Sequence, residues 1–169
     1  MTTTRRHRPT PPPVWTVTAA LSLADDILSK PPVRPWIARV PPRGECVARF
    51  VLPLDVCQPQ NRTRHAIAWK HAKRKAALRK LMAIQHYAQG NGHRREPLPG
   101  RPLIRCVRFS SVEPDKYADW AKSAIDALTV KHGGIGYLRD DRPRDVEVCQ
   151  WWEPGPSGNG TALVEVWTG

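Results

Sequence analysis

The sequence predicts a compact α/β domain in which two main helices pack on a mixed β-sheet, preceded by a proline-rich N-terminal extension. Three observations predict this class: four short segments with strand-like patterns, two longer helical segments among them, and a concentration of prolines near the start. The order β-α-β-α-β-β is typical of helices layered on a sheet. We therefore divide the chain into an extension, residues 1–43, and one domain, residues 44–169.

The extension contains half of the 18 prolines of the chain. Each proline lacks an amide donor and restricts the residue before it, so this segment cannot carry a sheet. A short helix over residues 19–30 is compatible with the apolar spacing of Leu21, Ala24 and Leu28. For the extension as a whole we favour a flexible basic arm over a docked element.

The first half of the domain is predicted to be a strand followed by a long basic helix. Residues 46–54 read as a strand, and Pro53 indicates a strand end or a sheet edge. A turn cluster follows at residues 58–61. From residue 64 to about 88 the sequence is rich in Ala, Lys, Arg and Leu, which favours a helix that ends before Gly90.

The second half of the domain is predicted to contain the remaining helix and three strands. Residues 102–110 alternate along a strand, and residues 114–128 show helical periodicity. A glycine-rich turn follows. Residues 145–152 and 161–167 then read as two closing strands on either side of a Gly/Pro/Ser loop at 154–160.

The charge balance predicts a polyanionic partner. The formal net charge is +12, and residues 58–95 contain no acidic side chain. Many Lys and Arg side chains near phosphates are favoured by counterion release and long-range attraction. An ordinary solvated helix face is the alternative, but it would normally include acidic partners at helical spacing. We predict contact with the DNA backbone for Arg62, Arg64, Lys70, Lys73, Arg74, Lys75, Arg79 and Lys80.

Other classes of protein and site are disfavoured by the sequence. The four cysteines are widely spaced, which favours reduced thiols over disulfides or zinc ligands. The six histidines show no shared ligand spacing, so we assign them no role. No apolar run approaches the ~20 residues of a membrane span. We expect a soluble, cytoplasmic, nucleoid-associated protein without a membrane partner or a small-molecule cofactor.

The second predicted helix places several acidic residues on one face. At about 100° per residue, positions 115, 119, 122 and 126 fall within roughly 60° of one another. A second acidic pair, Asp140-Asp141, follows the glycine turn, from which a loop can return to the helix. The plain alternative is the polar side of any amphipathic helix, since an Asp near a helix N-terminus is favoured by the dipole.

Clustered carboxylates in so basic a chain favour a bound metal ion. Carboxylates and DNA phosphates repel each other unless a cation neutralises them. Mg²⁺ prefers oxygen ligands and typically takes one or two carboxylates together with substrate phosphate oxygens. We therefore predict Mg²⁺ as the cofactor, with Mn²⁺ as the alternative ion.

Residues 114–128 (PDKYADWAKSAIDAL) and 136–141 (GYLRDD) resemble the core of the RusA-like family of Holliday-junction resolvases. The family pattern is an Asp-x-Asp-Asn motif, a Lys four residues on, an Asp-Ala-Leu triplet, and an Asp-Asp pair after a glycine-containing turn. Lys122, residues 126–128 and residues 140–141 match this pattern in order and in spacing.

The resemblance covers roughly residues 46–168, because Pro53 and residues 61–64 also look like the family's loop into its first basic helix. One departure concerns the Asp-x-Asp motif, whose positions fall on Lys116 and Ala118 in this chain. Asp119 can reach the same metal from the adjacent helix position, with Asp115 or Glu113 supplying the other oxygen. A chain that keeps the fold without cutting DNA is the alternative.

The resemblance implies a homodimeric, metal-dependent endonuclease that nicks branched DNA, including Holliday junctions, in recombination and repair. We predict these roles: Asp115, Asp119 and Asp141 as metal ligands and catalytic residues, Lys122 as a catalytic residue at the scissile phosphate, and Asp126 and Asp140 in support. Two rival hypotheses are a non-catalytic DNA-binding protein on the same fold and a basic RNA-associated protein.

Overall fold

The structure, a computed structural model, describes residues 17–34, 37–54, 68–93, 96–113, 121–155 and 160–169, with the side chains of 68–71 left undescribed. The elements within these ranges are α1 (Val17–Ser29), β1 (Cys46–Pro53), α2 (Ala68–Ala88), β2 (Leu103–Ser110), α3 (Lys122–Leu128), a 3₁₀ turn (Val130–His132), β3 (Glu147–Pro154) and β4 (Thr161–Trp167). From β1 onwards this is the predicted order of strands and helices.

The four strands form one mixed sheet in the order β1-β4-β2-β3. β4 is antiparallel to both of its neighbours, whereas β2 and β3 run parallel. The prediction of an α/β domain with a mixed sheet is confirmed. The two strands that flank the loop at 154–160 are not neighbours, because β2 lies between them.

Helices cover both faces of the sheet. On one face, Leu78 and Met82 of α2 and Leu128 of α3 join a core cluster with sheet residues such as Phe50 and Val164. Each of these side chains is fully buried, and full burial of a large apolar side chain stabilises the fold by about 1.5–3 kcal/mol. Because successive strand residues point to opposite faces, the alternate positions of the same strands are left for a second helical layer.

The second layer is α1, which packs on the other face of the sheet. Its buried residues Ala20 and Ala24 contact a cluster that includes Val107 and Leu163. The helix considered for residues 19–30 is thus present, and for residues 17–34 the structure shows a docked element instead of the flexible arm that we favoured. Residues 1–16 lie outside the described residues, and an extension ending at residue 43 stays a prediction.

Most element boundaries lie within two residues of the predicted ones. The basic helix ends at Ala88, and Gly90 follows with a left-handed φ of 78°, the conformation that commonly terminates helices. The predicted helix at 114–128 begins later than expected, at Lys122. Residues 114–120 lie outside the described residues.

Two further predictions can be compared with the described part of the chain. Cys46, Cys106 and Cys149 are free thiols, as predicted, and Cys57 lies outside the described ranges. None of the helices described has the length and apolarity required to cross a lipid bilayer.

Candidate metal and nucleic-acid site

A tight turn after α3 carries the chain back along that helix. Gly133 adopts a left-handed φ of 68°, and a Cβ atom on Gly134 would lie 2.3 Å from the carbonyl oxygen of Ala127. The returning segment donates from the Leu138 amide to the Leu128 carbonyl at 3.1 Å. The two glycines therefore permit a close return, and this return places Asp140 and Asp141 beside α3.

Three of the predicted site residues meet at this point. The Lys122 ammonium donates to Asp126 Oδ1 at 2.6 Å and also to Asp141 Oδ2. Asp126 is one helical turn after Lys122, so both side chains leave α3 on the same face. The ammonium of Lys75 on α2 lies 3.4 Å from Asp126 Oδ2. Two carboxylates from separate segments are thus held around one lysine.

A histidine completes this arrangement. His132 Nε2 lies 3.9 Å from Asp126 Oδ1 and 3.9 Å from Asp141 Oδ1. The atom is buried and has no hydrogen-bond partner among the described residues. Asp126, His132 and Asp141 each offer one ligand atom, and these three atoms all lie within 4.8 Å of one another. We call these residues, Lys122, Asp126, His132 and Asp141, the α3 cluster.

The spacing in the α3 cluster suits a shared cation better than direct hydrogen bonds. A separation of 3.9 Å exceeds hydrogen-bond length. Two ligands bound at about 2.1 Å to one ion lie no more than about 4.2 Å apart. The buried, unsatisfied nitrogen of His132 and the two carboxylates therefore fit the donor set of a divalent metal, with small movements of the side chains.

Both carboxylates of the α3 cluster are held in the ionised form. Burial raises the pKa of Asp126, but the hydrogen bond and the positive charge of Lys122 outweigh it and leave that pKa below its ordinary value. The hydrogen bond from Lys122 lowers the pKa of Asp141. Burial lowers the pKa of Lys122, but its hydrogen bonds to the two carboxylates outweigh burial and leave that pKa above its ordinary value. All three groups are charged at neutral pH.

Asp140 lies beside the cluster with partners of its own. Its carboxylate accepts from the Asp141 amide at 2.9 Å, and its other oxygen pairs with Lys131 at 3.1 Å and with Arg142 at 3.2 Å. These contacts hold the Asp140 carboxylate against the backbone of Asp141, and its supporting role stays a prediction.

A cavity of about 470 Å³ opens beside the α3 cluster. Lys122 and Asp141 form part of its wall, and Arg101 and Gln150 line it elsewhere. A phosphate group in this space would have the Asp141 carboxylate and the Lys122 ammonium within reach.

The basic helix α2 lies next to this site. Its described basic side chains are exposed or partly exposed: Lys73, Arg74, Lys75, Arg79 and Lys80. Lys75 joins α2 to the α3 cluster through Asp126. Arg62 and Arg64 lie outside the described residues, and Lys70 is described by its backbone alone. The predicted DNA-contacting surface, as far as it is described, therefore adjoins the acidic residues.

The structure places the sequence-predicted site residues unequally. It brings Lys122, Asp126 and Asp141 into contact, while Asp115 and Asp119 lie outside the described residues. Sequence reasoning missed His132 because it has no ligand-like spacing to another histidine. Its position in the segment that joins Asp126 to Asp141 is the sequence signal that could have identified it.

No family model matches this chain, and neither a curated protein nor a solved structure matches it.

Proposed function

We propose that this protein is a divalent-metal-dependent endonuclease that nicks branched DNA, with Holliday junctions among its substrates. The observation that carries the proposal is the convergence of Asp126, His132 and Asp141 around Lys122, beside the basic helix α2. The resemblance to RusA-like resolvases, which matches Lys122, Asp126 and Asp141, supports the same activity. We also propose that the protein is a homodimer and that it acts at the nucleoid, in the cytoplasm.

We assign the metal to Asp126, His132 and Asp141, with Asp115 and Asp119 as further ligands that the resemblance implies. A divalent ion bound there would supply an activated water and neutralise charge on the phosphate. The carboxylates bind in the ionised form that their lowered pKa values favour. Lys122, a point charge on a flexible stem, leaves the carboxylates and contacts the phosphate.

The donor atoms of the proposed site determine which divalent ion binds more tightly. Mg²⁺, our prediction from the carboxylates, binds almost entirely through oxygen. The imidazole of His132 adds a nitrogen donor, which suits Mn²⁺ and later transition metals better. We therefore propose that the site accepts both ions and binds Mn²⁺ more tightly.

The basic surface supplies the nucleic-acid affinity. Lys75 and Arg79, four residues apart, lie on one face of α2 and are separated by about 6 Å at 1.5 Å per residue, which suits contacts to successive phosphates. Such contacts hold the backbone without reading the sequence. A DNA strand bound along α2 would then meet the metal ion at the α3 cluster.

A non-catalytic DNA-binding protein is the second candidate. It is favoured by the Lys122 ammonium, which neutralises Asp126 and Asp141 in place of a metal. On this account the α3 cluster is a stable ion-pair network, and the basic surface alone serves the function.

A nicking assay on a synthetic four-way junction separates the two candidates. The wild-type protein is incubated with labelled junction and Mg²⁺, Mn²⁺ or EDTA, next to Asp141→Asn and a control, Asp26→Asn, which alters an exposed ion pair on α1. We expect metal-dependent nicks from the wild type and the control, and loss of nicking by about 100-fold or more in Asp141→Asn at unchanged junction affinity. Absence of nicking with either metal would leave the non-catalytic binder.

A further inference from the structure

A second groove lies between the C-terminal half of α2 and the glycine turn. It has a volume of about 360 Å³ and is lined by Arg79, Lys80, Ala83 and Tyr87 of α2, by His93 and by residues of the 133–135 turn. We call it the α2 groove. It is separate from the cavity beside Lys122, and the proposed cleavage reaction does not use it.

The two ends of the α2 groove differ in chemistry. Arg79 and Lys80 make one end positive, and no acidic side chain lines the groove within the described residues. At the other end, the ring of Tyr87 is half exposed and stands nearly perpendicular to His93, with the ring centres 5.7 Å apart. An anionic group and a flat ring are therefore the two parts of a complementary ligand.

The wall behind Tyr87 is rigid. His86 is buried, and its Nε2 lies 3.0 Å from the carbonyl oxygen of Gly92, which only accepts. Nε2 therefore donates, and Nδ1 accepts from the Tyr137 hydroxyl at 2.9 Å. Because both ring nitrogens of His86 are hydrogen-bonded, its side chain is held in place beneath this part of α2. The ring of the neighbouring Tyr87 remains exposed.

The α2 groove adjoins the α3 cluster along the chain. Ala127 and Gly133 line the groove, and they directly follow Asp126 and His132. A DNA strand with one phosphate at the α3 cluster would therefore place an adjacent nucleotide at the α2 groove.

We propose that the α2 groove binds an unpaired nucleotide of DNA, with a phosphate at Arg79 and Lys80 and the base stacked on Tyr87. The inference rests on the proposed function and narrows its substrates to branched DNA with unpaired bases, such as flaps, gaps and opened junction centres. Base stacking on an aromatic ring is tolerant of sequence and needs an exposed base face. Bases inside a continuous duplex already stack on each other, so the groove selects against intact duplex.

Binding measurements in EDTA test this site without any cleavage. Fluorescence anisotropy of labelled oligo-dT and of a blunt duplex is compared for the wild type and for Tyr87→Ala, Tyr87→Phe and Ile84→Ala. Ile84 is the matched control, because it is exposed on the same helix and does not line the groove. We expect Tyr87→Ala to weaken oligo-dT binding by about tenfold or more, while Tyr87→Phe and Ile84→Ala retain wild-type affinity. Duplex binding should be the same in all four proteins.

Crosslinking gives a second measurement. An oligonucleotide carrying one 4-thiothymidine is irradiated with the wild-type protein, and the modified peptide is identified by mass spectrometry. The label is expected between residues 79 and 93.

Unchanged oligo-dT affinity in Tyr87→Ala, an equal loss for duplex, or crosslinks confined to other segments would overturn the proposal. The same measurement is made with oligo-U. A larger loss of affinity in Tyr87→Ala for oligo-U than for oligo-dT would assign the groove to RNA and would also overturn the proposal. Because no metal or nicking is involved, a failed junction assay leaves this result intact, and a failure here leaves the nuclease proposal intact.

Discussion

Two clusters of charged side chains lie on opposite sides of the sheet, and they differ in how their carboxylates are held. On the α1 side, Glu165 accepts from Arg49 at 3.1 Å and from Arg105 at 2.9 Å through separate oxygens. Glu153 is fully buried and accepts two bonds from Arg39, at 2.5 and 3.0 Å. These carboxylates are satisfied by planar guanidinium groups in fixed geometry.

The α3 cluster is held differently. Its central cation is Lys122, a single ammonium whose side chain is 37% exposed, and the nitrogen of His132 beside it is buried without a partner among the described residues. An ammonium on a flexible stem can be exchanged for another cation at lower cost than a bidentate guanidinium. Arg105 Nε in the α1-side network is also buried without a hydrogen-bond partner among the described residues. The two clusters therefore differ in the cation that holds the carboxylates, which is a guanidinium in fixed geometry on the α1 side and an exchangeable ammonium in the α3 cluster.

The largest expected effect is on stability, in the Arg39–Glu153 pair. Replacement of Glu153 by Ala leaves the Arg39 guanidinium, only 16% exposed, without its carboxylate, and removal of one partner of a buried pair costs about 3–5 kcal/mol. Chemical denaturation should show that loss in the free energy of unfolding. The control Asp26→Ala, which breaks an exposed pair, should lose less than about 1 kcal/mol. A Glu153→Ala protein as stable as the control would remove the distinction between the two clusters.

The next effect concerns Cys46, which lies near the Glu165 network. Burial, together with the negative charge of Glu165, raises the pKa of Cys46 from 9.0 to about 11. The reactive thiolate at pH 8 is therefore about 100-fold scarcer than in an unperturbed thiol. Alkylation by iodoacetamide, followed by peptide mapping, should be about 100-fold slower at Cys46 in the native protein than in urea. Equal rates in the two states would show that the network does not enclose this thiol.

A smaller effect is expected from His132. Replacement by Ala should weaken Mn²⁺ binding by about tenfold while leaving Mg²⁺ binding nearly unchanged, because imidazole favours the softer ion. Calorimetric titration with each ion measures the difference. His93→Ala, which removes an imidazole outside the α3 cluster, serves as the control. Equal loss of both ions would show that His132 does not discriminate between them.

The smallest effect is the acid response of the α3 cluster. The pKa values of Asp126 and Asp141 are lowered in the folded state, so their contribution to stability is present above the unfolded value of about 3.9. It is lost as the pH falls through the lower, folded values. Denaturation of wild type and Asp141→Asn between pH 7 and pH 2.5 should therefore show a gap in unfolding free energy that narrows below about pH 4. A constant gap would contradict the lowered pKa of Asp141.

The sequence predicted the elements better than their arrangement. Short strand-like segments bounded by turn residues identified all four strands, although β2 and β4 are buried on both faces of the sheet. It could not show that β4 enters between β1 and β2, since strand order depends on long-range packing. The docking of α1 was also missed, because Ala20 and Ala24 give a weak apolar signal although they are buried against the sheet.

The residues of the candidate site were also predicted better than their arrangement in space. Residue spacing and the glycine turn led us to expect Lys122, Asp126 and Asp141 near one another, and the structure places them in contact. The place of His132 depends on the backbone path of the 3₁₀ turn and on the return of Leu138 to Leu128. No pattern of residue types specifies that path.

The central claim is that the carboxylates of the α3 cluster bind a divalent cation in place of the Lys122 ammonium. Titration with Mn²⁺, followed by the electron paramagnetic resonance signal of the free ion, measures this directly for the wild-type protein and for Asp141→Asn. The account predicts saturable binding by the wild type that is lost in the variant, while the variant still unfolds in one cooperative thermal transition. Wild-type protein that shows no saturable binding, or a variant that binds equally well, would contradict it.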